Sequence, residues 1–353
     1  MKRKLLYACY ASSDYYARET GISMIGFFEN NSDYEPEEIF ILDYGILPQN
    51  KGKLDSIAKK YNKYITYLPA KSILEEIQHQ LNLQDFRGSL ATYSRAFIDK
   101  ILPDYVERLL YIDSDTVVAG SVSELKYLDM PIESMATVIS SNFSYKMQKG
   151  YWTLYTHNKY YYQCGVVLFD LTNWRNRNCY ERITNILSIK KVYPCADQTL
   201  INNALDDSFF CKLPLKFNYI SHIYSTSVER GFLRRGRYYA DEEIYDAINK
   251  PSIIHYPGSP INRPWYDKCY SRQRDIYYLY KSMSPWANDK PMSTSDYYKQ
   301  SKKLKNWPTY LTQLLEKHSP SYSLLMLYLK VKELLGICMG KQRNEKIKYE
   351  GIE

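Results

Sequence analysis

The run Leu109-Leu110-Tyr111-Ile112 passes directly into Asp113-Ser114-Asp115, and no other stretch of the chain limits its fold as tightly. A short apolar run bounded by a polar turn reads as a strand buried on both faces, as parallel sheets covered by helices require. Ligands of such sheets collect at the carboxyl ends of strands, which is where the two carboxylates stand. Two acids flanking one small residue repel each other and resist desolvation, so a buried pair needs a compensating cation. A divalent metal ion meets that need. A surface turn with two solvated acids is the other reading of the same residues, because Asp and Ser are also good turn formers.

The chain on either side supports a layered α/β protein. Lys4 to Tyr10 reads as a first strand, and Ala11-Ser12-Ser13-Asp14 supplies residues that cap a helix over Tyr15 to Glu29. Strands are expected over Glu38 to Asp43 and Tyr64 to Leu68, with a Lys-rich helical segment between them. A helix from Thr92 to Leu102 is stopped by Pro103. Strands alternating with helices up to Asp115 predict a parallel, Rossmann-like sheet flanked by helices. Beyond it, Val117-Val118, Met135 to Ile139 and the whole of Tyr160 to Asp170 read as strands, the last closed by Trp174-Arg175. Residues 176–190 read as a helix, and Cys195 to Ile201 starts another. Ile253 to Tyr256 is a short strand that carries His255 at its end, before the turn Pro257-Gly258-Ser259-Pro260. A change to Pro-, Ser-, Lys- and Trp-rich text predicts a catalytic domain over 1–284 and a basic, partly helical extension over 285–353.

Charge separates these two parts. The chain has 47 Lys and Arg against 39 Asp and Glu; 16 and 8 of these lie from Lys268 onward, so residues 1–267 are neutral and the last quarter carries the whole excess. A basic tail suits an anionic partner such as a membrane surface. In it Leu324, Leu327, Tyr328, Val331, Leu334, Leu335 and Cys338 recur at helical spacing, followed by Lys341, Arg343, Lys346 and Lys348. The segment is too short and too charged to span a bilayer, which leaves an interfacial helix or a helix docked on protein. A neutral body without a recognised nucleic-acid motif argues against a nucleic-acid partner. The seven cysteines include no Cys-x-x-Cys pair, so neither a disulfide framework nor a zinc site is expected, and Cys9 and Cys164 read as small core residues. The N-terminus is too polar for a signal-peptide core. A cytoplasmic protein is expected, peripheral to the membrane if the tail binds there.

Several ordered blocks together resemble glycosyltransferase family 8, the retaining group that includes bacterial lipopolysaccharide galactosyltransferases and glycogenin. They are Tyr10-Ala11-Ser12-Ser13-Asp14-Tyr15-Tyr16-Ala17, Tyr93-Ser94-Arg95, Tyr111 to Asp115, and Tyr162-Gln163-Cys164-Gly165-Val166 with Trp174-Arg175. Ala196-Asp197-Gln198-Thr199, Phe217-Asn218-Tyr219 and His255-Tyr256-Pro257-Gly258-Ser259 with Arg263-Pro264-Trp265 follow in order. The resemblance implies a GT-A type fold and transfer of a hexose from UDP-galactose or UDP-glucose to a glycan or lipid-linked glycan. It makes Asp113, Asp115 and His255 ligands of Mn²⁺, with Mg²⁺ as a weaker substitute. Ala11, Ser12 and Ser13 would edge the uracil and Tyr16 stack on it, while Arg95 and Gln163 face the donor and Ser114 sits in the metal turn. Gly258 would let backbone approach the diphosphate, Arg263 would add charge to it, and Asp197 and Gln198 would line the reacting face of the sugar. The chain departs from the family pattern at Ser13, Gln163, Ser140-Ser141 and the Pro260-Ile261-Asn262 insert, all at the expected sugar pocket or closing loop. A fold kept only for binding a sugar nucleotide or glycan is the alternative, against which the complete metal set stands.

Overall fold

A computed structural model describes residues 4–83, 85, 89–140, 156, 158–189, 195–221, 238–258, 260–269 and 271–301. The chain divides into two compact units, Met1–Ser293 and Thr294–Glu353. The larger is the expected α/β protein. Its elements begin with β1 (Leu6–Ser12), α1 (Ala17–Asn30), β2 (Glu38–Asp43), α2 (Pro48–Lys60), β3 (Tyr64–Leu68), α3 (Ala70–Leu81), α4 (Ile98–Ile101) and β4 (Arg108–Asp113). They continue with β5 (Thr116–Val118), β6 (Met135–Thr137), β7 (Val166–Asp170), α5 (Leu171–Asn176), α6 (Cys179–Ile189), α7 (Ala196–Ala204), β8 (Phe210–Lys212), β9 (Tyr219–Ile220), α8 (Asp241–Asn249), β10 (Ile253–His255) and α9 (Arg274–Ser282). In the smaller unit α10 (Thr294–Ser301) is described.

The main sheet runs β3-β2-β1-β4-β7-β6-β8. Its first four strands are parallel, whereas β7 is antiparallel to both β4 and β6. Leu109, Leu110 and Ile112 in β4 and Val166 to Phe169 in β7 are fully buried, as a strand covered on both faces requires. Register places Ala11 beside Asp113 and Ser12 beside Asp43, so the β1 turn and the Asp113-Ser114-Asp115 turn meet at the carboxyl ends of the strands. A second sheet, β5-β10-β9, sets His255 opposite Thr116 and beside Ile220.

Local chemistry explains the element ends. Pro48 opens α2 at a position where its missing N–H costs nothing. Left-handed Asn62 and Asn82 end the turns after α2 and α3. The Asp170 carboxylate closes β7 by capping α5 through the Asn173 N–H at 2.9 Å, and also pairs with Lys4 Nζ at 2.8 Å.

Four expectations change. The helix expected over Thr92 to Leu102 is a 3₁₀ turn at Ala91–Tyr93 and the short α4, with tight turns between. The Ser94 hydroxyl bonds back to Ala91 O, and the N–H groups of Ala96 and Phe97 reach only three residues back; such local bonds compete with a helix. The strand expected from Tyr160 begins only at Val166; before it Tyr162 makes an isolated bridge to Ile139 and the Gln163 side chain accepts the Gly165 N–H. The helix expected over 176–190 is α6, whereas Trp174-Arg175, expected to close the preceding strand, lies inside the separate helix α5. Helix α3 was not anticipated; it has no side-chain cap and starts straight after Pro69.

Candidate functional site

Three side chains expected at a metal converge where the two sheets meet. Asp113 ends β4, Asp115 leads into β5 and His255 ends β10. One ligand atom from each lies within 4.8 Å of the others. His255 Nε2 stands 3.1 Å from Asp115 Oδ1 and 3.9 Å from Asp113 Oδ2. Burial favours a neutral Asp113 carboxyl; Arg95 opposes this while Asp115 reinforces it, and the balance lies above the usual range. Burial acts in the same sense on Asp115, but His255 and Arg263 outweigh it and bring that carboxyl down to about 2. The turn itself is fixed from below. Thr20 Oγ1 of α1 lies 2.9 Å from both Ser12 Oγ and Ser114 Oγ, Ser114 Oγ donates to Ala11 O, and Thr116 Oγ1 donates to Asp113 O at 2.8 Å.

Arg95 is expected to reach from a helix toward the donor. It sits instead in the tight turn before α4 with its guanidinium engaged by protein. Nη1 donates to both Asp113 oxygens at 3.0 Å and to Cys164 O at 2.8 Å. Nε and Nη2 hold Asp197 as a fork, Nη2 to Oδ1 at 2.9 Å. Asp197 is 1 % exposed in the first turn of α7. Burial raises its carboxyl to about 6 although Arg95 pulls the other way. Next to it, the Gln198 side-chain oxygen accepts from Cys164 N at 3.2 Å.

The β1 turn and the closing loop flank this cluster. Ala11 and Ser13 are half-buried, Ser12 is buried, and Tyr16 ends a 3₁₀ turn with its ring half-buried. Arg263 lies 5.9 Å from the centre of that ring and donates from Nη2 to Asp115 Oδ2 at 3.3 Å. Its buried Nε has no hydrogen-bond partner among the described residues. Gly258 has φ +91°, in the left-handed region where a side chain is strained. Ser141, Ser259 and the expected tail helix lie outside the described residues.

Two residues acquire a part that their blocks alone did not reveal. Gly165 passes so close to His255 that no side chain fits, and Asn218 Oδ1 lies 2.9 Å from Nδ1 of the same imidazole. Both partners are far away in sequence, so only the order of the blocks pointed to them.

The sequence pattern described as Glycosyl transferase family 8 matches residues 8–269. General stress protein A of Bacillus subtilis is 24% identical over 289 residues, covering 81% of this chain and 96% of that protein. A lipopolysaccharide 1,2-glucosyltransferase of Escherichia coli is 27% identical over 273 residues, covering 76% and 75%. Among solved structures, the galactosyltransferase LgtC in complex with donor and acceptor sugar analogs aligns with a TM-score of 0.63 at 20% identity, over 79% of this chain and 96% of that one. The bifunctional glycosyltransferase WbbM aligns with a TM-score of 0.69 at 21% identity, over 86% of this chain and about half, 52%, of that longer one. These two share the fold, and the match over residues 8–269 assigns membership: the chain belongs to glycosyl transferase family 8.

Proposed function

We propose that this protein transfers a hexose, galactose or glucose, from a UDP-sugar to a hydroxyl of a glycan or lipid-linked glycan, with retention of configuration. The observation that carries this reading is the cluster of Asp113, Asp115 and His255. Neither an imidazole lone pair nor a carboxylate oxygen donates hydrogen, so His255 Nε2 and Asp115 Oδ1 at 3.1 Å need a proton or a metal cation between them. Two carboxylates and one imidazole suit Mn²⁺, or Mg²⁺ more weakly. When bound, such an ion supplies positive charge to a departing diphosphate. Arg263, with an unpartnered buried Nε beside Asp115, suits the same diphosphate from the loop after Gly258. Relatives named as a lipopolysaccharide glucosyltransferase and a galactosyltransferase support a hexose donor and a cell-surface acceptor.

Retention can proceed through a covalent glycosyl intermediate or by same-face attack. The position of Asp197 favours the second. Its carboxylate is buried and forked by Arg95, so it is poorly free to act as a nucleophile, and the Gln198 amide is intrinsically weak in that role. In this reading Gln198 stabilises positive charge at the anomeric carbon, and Ala11, Ser12, Ser13 and Tyr16 receive the uracil. The concentration of positive charge beyond Lys268 supports an anionic cytoplasmic membrane as the place where the acceptor is presented.

The test is a screen of sugar nucleotides for Mn²⁺-dependent hydrolysis and transfer. UDP-galactose or UDP-glucose should be turned over, chelation should abolish activity until Mn²⁺ is restored, and Asp115→Asn or His255→Ala should abolish it with the fold retained. Full activity after chelation overturns the metal reading, and a preference for GDP- or CMP-sugars overturns the base reading.

A further inference from the structure

An imidazole binds metal through one nitrogen, and the partner of the other nitrogen decides which one is free. In His255 the partner of Nδ1 is Asn218 Oδ1 at 2.9 Å, and both residues are buried. The orientation of the Asn218 amide is set by a third group. Its Nδ2 donates to Gln163 Oε1, which also accepts the Gly165 N–H. A backbone N–H can only donate, so Gln163 must present oxygen there. Asn218 must then present NH₂ to Gln163 and oxygen to His255. The imidazole consequently carries its hydrogen on Nδ1. Its Nε2 is left facing Asp115 and Asp113.

We propose that Asn218 is a positioning residue that holds His255 as the Nδ1–H tautomer and so makes Nε2 the metal-ligating atom. The inference rests on the metal reading above and adds to it a relay that starts at the Gly165 backbone and passes through Gln163 and Asn218. Gln163 thereby takes part in shaping the metal site as well as facing the donor pocket. Loss of such a partner typically weakens metal binding about 10–100-fold.

The experiment titrates Mn²⁺ into full-length wild type, Asn218→Ala and Asn218→Asp, following free Mn²⁺ by electron paramagnetic resonance. In parallel, the metal-free proteins are ¹⁵N-labelled at histidine and the His255 ring nitrogens are read by NMR at a pH where the ring is neutral. Their signals are assigned by comparison with His255→Gln. Asn218→Ala should bind Mn²⁺ about 10–100-fold more weakly and move His255 toward the Nε2–H tautomer. Asn218→Asp keeps an acceptor oxygen on Nδ1 and should leave the tautomer unchanged, while losing the donor to Gln163 Oε1. Wild-type affinity in Asn218→Ala, or weakened affinity with an unchanged tautomer, overturns the inference. If Asn218→Ala does not fold, Asn218→Asp decides, and a shift of its His255 toward the Nε2–H tautomer overturns the inference. Failure of the wild type itself to bind Mn²⁺ overturns instead the metal reading on which this rests.

Discussion

A methyl group at residue 165 would fall on the ring of His255. Its Cβ would meet Cε1, lie 2.8 Å from Nδ1 and lie 3.0 Å from Asp113 Oδ2. The ring and the carboxylate are each tied to another side chain, Asn218 and Arg95, so neither can move aside cheaply. Gly165→Ala should therefore reduce Mn²⁺ affinity and transfer by at least about tenfold, as displacement of a supported ligand does. Calorimetric titration with Mn²⁺ measures it, and an unchanged affinity would show that the imidazole is not held where a ligand must be. Asp197 gives a pH dependence. Its carboxyl rises to about 6 because burial disfavours the charge more than Arg95 favours it. The folded state then takes up a proton at a pH where an unfolded Asp is still ionised. This group favours the folded state more as pH falls from about 6 toward about 4, the unfolded value, and its ionisation costs stability above that window. Thermal melts of metal-free wild type and Asp197→Asn across that window should show wild type losing ground to the variant as pH rises through about 6. A difference independent of pH would refute the raised acidity.

At the scale of elements, α1 packs tightly on β5, the strand that follows Asp115. A Cβ on Gly26 would strike the Val118 carbonyl of β5, a backbone atom that cannot yield. Gly26→Ala should destabilise the protein by about 1–3 kcal/mol as an overpacked core does. Gly52, at an exposed position of α2, has nothing within 4 Å, so Gly52→Ala should stabilise by about 0.5–1 kcal/mol. Urea unfolding of the two variants checks the opposite signs. Elements whose limits are set by their own residues were legible in the sequence. Glu38–Asp43 and Tyr64–Leu68 are strands with the expected ends, because apolar runs there stop at polar turns. Those whose limits depend on distant or side-chain partners were not. Tyr160 to Gly165 runs without a break into the strand it precedes, and residue type alone does not announce the bond from the Gly165 N–H to the Gln163 side chain just before Val166. Thr92 to Leu102 has helical composition, yet the tight turns at Ser94 are what aim Arg95 at Asp197 and Asp113. The site followed the same division. Asp113 and Asp115 stood out as paired acids at a strand end and His255 entered with the family resemblance, whereas Gly165 and Asn218 matter only through what a remote strand brings beside them.

At the scale of the whole molecule, the basic excess and the neutral catalytic part can be separated experimentally, provided the cut is placed correctly. Trp286 cannot be the end of a shortened protein. It is 4 % exposed, packs on α1 beside Gly21, and carries Lys53 Nζ 5.1 Å above its ring. A version ending after Ser301 keeps that packing and removes ten Lys and Arg against five Glu. Each basic residue near an anionic surface contributes about 1 kcal/mol, so full-length protein should sediment with anionic liposomes and release with salt, whereas the shortened one should stay in solution. Equal behaviour of the two forms would remove the membrane role. A different consequence follows from the small sheet, whose central strand β10 is the last of its three in chain order. During synthesis Asp113 and Asp115 leave the ribosome 140 residues before His255 in the case of the closer pair, and before Arg263 by more. Until then two like charges stand at a sheet edge with neither imidazole nor distal guanidinium to face. Pairings this remote in sequence form slowly. No fragment that stops short of Ile253 can carry the three-residue cluster, so a nascent or prematurely ended chain can hold the main sheet's edge and still lack the cluster altogether.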